Sequence, residues 1–125
     1  MAQTDKPFHQ QAAIEGDLVV WRVSGVVDDD RIDELKIELS RLLQLDRREV
    51  IVDFAGLQAI TSRGLGFLIT LQKEIRSRGG RLALVNLGAR FAPLFELTRL
   101  NRIFEIFLDM ETAKRSYGIG RKEKT

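Results

Sequence analysis

The chain alternates short apolar runs with amphipathic stretches, and this alternation sets the elements it predicts. Residues 8–14 alternate weakly, with Phe8, Gln10, Ala12 and Ile14 on one face, as an edge strand would. Glu15-Gly16-Asp17 is a turn signal, and residues 18–24 form a strong strand behind it, so the two predict an antiparallel hairpin. Val19, Trp21 and Val23 share a face of the second strand, which assigns Trp21 to the core. Gly25 is expected to close that strand. The next stretch carries Ile32, Leu35, Leu39, Leu42 and Leu43 on one stripe, with Lys36, Glu38 and Arg41 outside it. It predicts a helix ending near Leu45.

Segment 50–69 is the centre of the pattern. It opens as an apolar run over 50–54, broken only by Asp53, and predicts a strand buried on both faces. It closes in a helix running to about residue 77, with Leu65, Leu68, Ile69 and Ile75 on one stripe and Gln72 as its polar interruption. Between them lies a polar turn, Thr61-Ser62-Arg63-Gly64. Ligands and partners of α/β proteins are met at such strand-to-helix junctions, and helix N-termini favour phosphates, so the function is sought there.

Gly79-Gly80 stops that helix. A further strand is expected over 81–86, apolar through Leu82, Ala83, Leu84 and Val85. A helix follows over about 89–98, in which Pro93 is compatible only with the first turn. Residues 103–107 predict a last short strand and 109–117 a last helix capped by Asp109. The order is β-β-α-β-α-β-α-β-α in one α/β domain at 8–117, a mixed, mostly parallel sheet with right-handed crossovers and packed helices. Residues 1–7 are expected as a flexible arm and 118–125 as a flexible basic tail.

Composition changes this picture little. The 125 residues, 44% hydrophobic and 30% charged, suit one soluble domain with its own core. With no cysteine, disulfides and thiolate metal sites are excluded, which fits a reducing compartment. No apolar run approaches the roughly 18 residues that cross a bilayer, and the first residues lack the apolar core of a signal peptide. A cytoplasmic protein without direct membrane insertion is expected. A net charge of +2, with acids and bases interspersed, argues against nucleic acid as a partner. Bases thicken at Arg76, Arg78 and Arg81 and again at Arg121, Lys122 and Lys124. Without interleaved aromatics they read as a solvated helix end and a tail.

Catalytic constellations are poor. The single histidine, His9, falls on the edge strand, so no multi-histidine metal site can be built and a His-based triad is disfavoured. Asp28-Asp29-Asp30 lacks the remaining ligands and the glycine of a calcium loop, and reads as helix capping. No glycine-rich phosphate loop ends in Lys-Ser or Lys-Thr, and Gly64-Leu65-Gly66 is too short for a nucleotide fingerprint. No catalytic residue, metal or cofactor is assigned, and an enzyme is not expected. Ser62 carries two readings. It can be the N-cap of its helix, a role Thr61 could take instead. It can also be a phosphoacceptor, whose charge of about −1.5 to −2 would meet the helix dipole and free N–H groups.

The motifs Ile51-Val52-Asp53-Phe54, Ile60-Thr61-Ser62-Arg63-Gly64-Leu65-Gly66 and Arg78-Gly79-Gly80-Arg81-Leu82-Ala83-Leu84-Val85-Asn86 resemble the STAS domain of bacterial anti-sigma factor antagonists. Leu97-Thr98-Arg99-Leu100-Asn101-Arg102-Ile103-Phe104 resembles the closing segment of that family, and Asp28 falls where it usually has an acid before the first helix. The similarity spans about residues 8–107 and implies a STAS-like fold. It implies that Ser62 is phosphorylated by a partner anti-sigma factor that is also an ATP-dependent serine kinase. The unphosphorylated form would bind that partner and free the sigma factor, and a phosphatase would reset the switch. Thr61, Ser62, Arg63, Gly64 and Gly66 are then the partner-binding set, the two glycines allowing close approach of another backbone. ATP would be used by the kinase, with no cofactor held here.

The chain departs from the family at Thr61, where Asp is usual, at Arg63, where a small residue is usual, and at Arg99, where glycine is common. Arg63 can pair with a phosphate or obstruct a kinase built for a small residue. Two other readings stand beside the switch. One is a STAS adaptor or scaffold, without phosphorylation, in a signalling or membrane-associated complex. The other is a weak nucleic-acid binder using Arg76, Arg78 and Arg81.

Overall fold

The computed structural model describes residues 7–118. The hairpin forms as the alternation predicts: β1 (His9–Glu15) pairs antiparallel with β2 (Leu18–Val27). β3 (Glu49–Asp53) lies parallel to β2, and β5 (Arg81–Val85) and β6 (Glu105–Phe107) follow outward in the order β1-β2-β3-β5-β6. The structure adds a strand that periodicity missed, β4 (Leu57–Ile60), parallel to the end of β2. Between the strands run α1 (Ile32–Gln44), α2 (Ser62–Ser77) and α3 (Gly88–Leu97), and α4 (Met110–Ser116) follows β6. The result is a single α/β domain with a mixed six-stranded sheet and four helices. Apart from Pro7 and Gly118, the arm and tail expected at 1–7 and 118–125 lie outside the described residues.

Gly25 does not close β2. It adopts a φ of 83° where the register shifts, and a Cβ there would lie 2.6 Å from the Pro7 carbonyl oxygen. Such a bulge crossing accepts glycine alone without rearrangement, and it lets the strand run on to meet β4.

Both faces of the sheet are buried, as the unbroken apolar runs of β3 and β5 require. Val19, Trp21, Val23, Val50, Val52, Leu82 and Leu84 pack under α1, α2 and α3. Leu18, Val20, Ile51, Ala83 and Val85 pack under Ala113 of α4. Trp21 meets Phe67 edge-on at 6.2 Å between ring centroids, and its Nε1 donates to Gln10 Oε1 at 2.7 Å, which satisfies the buried indole. The predicted stripe of α1 is the one it buries, with Ile32, Leu35, Leu39 and Leu42 inside. Asp109 caps α4, accepting from the Thr112 N–H at 2.8 Å, as expected.

Two helices differ from their predicted patterns. α2 buries Gly64, Phe67, Leu68, Leu71, Gln72 and Ile75, while Leu65 and Ile69 are only half-buried. A tally of apolar side chains is blind to a buried glycine and a buried amide. Gln72 is no interruption, for its Nε2 donates to the Ile103 carbonyl at 2.6 Å and ties α2 to the turn after α3. In α3, Pro93 lies beyond the first turn and leaves the Ala89 carbonyl without its helical donor. Ala89 is exposed, so water can take that carbonyl and the proline is tolerated. Among the described residues no helix is long and apolar enough to cross a membrane.

Candidate functional site

The approach to α2 is fixed by hydrogen bonds from several elements. At the end of β3 the buried Asp53 carboxylate accepts through Oδ1 from the Ala55 N–H and from Asn86 Nδ2, both at 2.9 Å. Arg22 Nε lies 3.6 Å from its other oxygen. The Phe54 N–H donates to the Val85 carbonyl at 3.0 Å, and the Leu57 N–H to the Phe54 carbonyl at 3.0 Å, which closes the turn. β4 then runs beside the end of β2, and the Thr61 N–H donates to the Val27 carbonyl at 3.0 Å. The helix therefore starts from a sheet-anchored residue.

Thr61, and not Ser62, is the N-cap. Its extended backbone (φ −81°, ψ 169°) points Oγ1 at the Gly64 N–H, which donates to it at 3.2 Å. The same hydroxyl donates to Asp29 Oδ1 at 3.0 Å, bridging α2 to the turn before α1. Asp28 caps that turn by accepting from the Asp30 N–H at 3.1 Å, so the capping expected of the acidic run falls to Asp28, while Asp29 serves Thr61. Ser62 is left as the first residue of α2, exposed, with its hydroxyl in no hydrogen bond among the described residues. The backbone N–H groups of Ser62 and Arg63 are among those a helix cannot satisfy from within.

The remaining site residues divide. Arg63 and Gly66 are exposed, and a Cβ built on Gly66 would meet nothing within 4 Å. Gly64 is buried instead: a Cβ there would lie 2.6 Å from Ile60 Cγ1 and 3.2 Å from Val27 Cγ1. Its smallness lets α2 settle on β4 and β2, so a close approach by an outside backbone is offered at Gly66 and not at Gly64. Sequence reasoning missed Asp29 and Asn86 as supports of this site, since their bonds to Thr61 and Asp53 span 32 and 33 residues.

The basic cluster does not form a free stripe. Arg78 Nε lies 4.0 Å from Glu74 Oε1, and Arg81 is held by Glu105 at 2.6 Å, by the Ser116 hydroxyl at 2.6 Å and against the Tyr117 ring at 4.2 Å. The hydrogen bond to Arg81 lowers the Glu105 carboxyl from its usual range, and the same bond raises the Arg81 guanidinium. Burial pushes up the Tyr117 hydroxyl, which donates to the Val50 carbonyl at 2.9 Å. These groups gather where β3, β5 and β6 begin. Among the described residues no three His, Asp or Glu side chains are placed to hold a metal ion.

The STAS domain model matches residues 9–113. BtrV of Bordetella bronchiseptica, a candidate anti-sigma factor antagonist, is 28% identical over 104 residues, covering 83% of this chain and 89% of its own. The structure of the anti-sigma factor antagonist SpoIIAA in its unphosphorylated form superposes with a TM-score of 0.74 at 21% identity, covering 92% of this chain and all of that one. The phosphorylated form of SpoIIAA, a Bacillus cell fate determinant, gives 0.67 at 20% identity, with 88% of this chain and 99% of that one covered.

Proposed function

The chain belongs to the STAS domain family, and we propose that it is an anti-sigma factor antagonist switched by phosphorylation of Ser62. The unphosphorylated protein binds an anti-sigma factor that is also a serine kinase, in the cytoplasm, and a phosphatase restores it. The observation that carries this reading is the division of labour at the helix entrance. Thr61 performs the cap, so the neighbouring hydroxyl of Ser62 is exposed, unengaged and free to react. A phosphate there would meet the unsatisfied N–H groups and the positive end of α2, so the fold accommodates it. Thr61 is the poorer acceptor, because its hydroxyl is already donor to Asp29 and acceptor from Gly64.

The relatives support the same role: SpoIIAA is an anti-sigma factor antagonist with an unphosphorylated and a phosphorylated form. The test is to incubate the protein with ATP and the purified anti-sigma factor kinase of the same genome. One phosphate is expected, placed at Ser62 by fragment mass spectrometry, and the phosphorylated protein is expected to lose the kinase. Ser62→Ala should keep binding while resisting modification. Because Ser62 is not the cap, that change should alter stability by no more than about 0.5 kcal/mol. A phosphate only on Thr61 or elsewhere rejects the assignment. Undiminished binding by the phosphorylated protein leaves a STAS adaptor as the better description.

A further inference from the structure

We propose that the anti-sigma partner seats an acidic segment with an apolar side chain in the groove between α1 and α2, selected there by Lys36 and Arg63. This rests on the reading of Ser62 as the partner-facing switch and names the chemistry of what faces it. α1 and α2 each follow a strand of the parallel set and run side by side from the same end of the sheet. Between their first turns lies a groove of about 260 Å³ lined by Ile32, Lys36, Arg63, Gly66, Phe67 and Thr70. Gly66 is four residues beyond Ser62, on the same helix face and about 6 Å further along. A protein that covers Ser62 therefore reaches the groove without turning a corner.

The groove has an apolar floor and a cationic rim. Ile32 and Phe67 form its base, only 4% and 5% exposed. Gly66 offers bare backbone beside them. Lys36 and Arg63 stand exposed on opposite walls, and neither forms an ion pair or hydrogen bond among the described residues. Arg31, Arg41 and Arg78, which border the same two helices, are paired with Glu34 at 3.0 Å, Glu38 at 2.6 Å and Glu74 at 4.0 Å, and Lys73 and Arg76 of α2 do not line the groove. Asp33, one turn before Lys36, forms no ion pair with it. At the helix entrance Asp28 and Asp29 are occupied with the Asp30 N–H and with Thr61. Two uncompensated cations across an apolar slot repel each other until a carboxylate comes between them, and Arg63 can hold one in bidentate fashion.

The same charges make docking sensitive to phosphorylation. A phosphate on Ser62 brings about −1.5 to −2 charges within a helical turn of the groove. It competes for Arg63 and repels the partner's carboxylates, so one modification acts twice on the interface.

The test compares the unphosphorylated chain with its Lys36→Glu, Arg63→Glu and doubly reversed variants, binding to the purified anti-sigma factor kinase of the same genome. Arg115→Glu, on α4 at the other face of the sheet, matches the charge change of one reversal, and Lys36→Met with Arg63→Gln removes both charges without reversing them. The double reversal should weaken binding at least about 100-fold, the neutral pair about tenfold, and Arg115→Glu less than about threefold. Affinity of the unchanged protein should fall with added salt, and the double reversal should abolish that slope. Overlapping unfolding curves establish that the variants are folded. Double reversal within about threefold of the unchanged protein, while phosphorylation still abolishes binding, overturns the groove and leaves the switch standing. If the unchanged protein fails to bind the kinase, both readings fall.

Discussion

Replacing Thr61 by Asp, the residue the family usually carries there, is a sharp probe of how this helix entrance is built. Judged from α2 alone, the change is mild, because Asp is at least as good an N-cap as Thr and adds about 0.3–1 kcal/mol through the helix dipole. The structure adds a second partner. The Thr61 hydroxyl donates to Asp29 Oδ1 at 3.0 Å, and a carboxylate has no proton to donate. Thr61→Asp therefore loses that hydrogen bond, about 1 kcal/mol, and sets two like charges some 4 Å apart. In bulk water their repulsion is about 1 kcal/mol, and at an effective dielectric of 20 about 4 kcal/mol. Asp29 is exposed, so the lower figure governs and the net loss should be about 1–2 kcal/mol.

The assay is a double-mutant cycle of denaturant unfolding on the unchanged protein, Thr61→Asp, Asp29→Asn and the pair. Asn can donate its amide to the new carboxylate, so the double variant should regain at least about 1 kcal/mol over the sum of the single changes. High salt should shrink the Thr61→Asp deficit and leave the Asp29→Asn value nearly unchanged. All four should still bind the kinase within about tenfold, as the cap is preserved. Thr61→Asp as stable as the unchanged protein, with no coupling to position 29, would refute the bridge between α1 and α2 as an energetic feature.

The glycines of α2 should respond in opposite directions. Gly64→Ala should destabilise, since overpacking against Ile60 costs about 1–3 kcal/mol against about 1 kcal/mol gained in helix propensity, whereas Gly66→Ala, in open space, should stabilise by up to about 1 kcal/mol while weakening the partner; equal shifts in chemical denaturation would contradict this. The Arg81–Glu105 pair should make stability depend on pH. The Glu105 carboxyl is lowered in the folded protein, so its contribution is present above the unfolded glutamate range and is lost as pH falls through the folded value. Glu105→Gln should flatten that acid limb in melting curves, and an unchanged profile would show the pair to be energetically idle.

Much of the fold was legible because strands buried on two faces leave unbroken apolar runs and α1 leaves a clean stripe. β4 was not, for Leu57-Gln58-Ala59-Ile60 is too short and mixed to show a period, and it exists because the bulge at Gly25 carries β2 on to meet it. The turn of α2 away from its predicted stripe came from Gly64 and Gln72, residues whose burial depends on the neighbours they meet. At the site, chemistry alone left Ser62 balanced between cap and acceptor. Thr61 takes the cap from the Gly64 N–H three residues on, and its second bond, to Asp29 across 32 residues, is one no local pattern contains. The position of Ser62 in a STAS-like motif was readable from the motif itself. Its freedom from structural duty was readable only in three dimensions.

That freedom bears on what kind of switch the proposal requires. A phosphoacceptor that doubles as its own helix cap would, on modification, disturb the helix it begins, and signalling would be coupled to local unfolding. Here the cap, the anchor to β2 and the Asp29 bridge all belong to Thr61, one residue upstream. On that proposal a phosphate on Ser62 would touch none of those contacts directly and would act mainly on the surface potential beside Lys36 and Arg63. The discrimination between states must then be made by the partner's own charges at the interface, since a ligand can separate two forms only by its differential affinity for them. A rigid domain suits that task. The proposed switch then requires the same backbone in both states, so that the partner's loss of affinity would report charge alone and the stability of the domain would not vary with the modification.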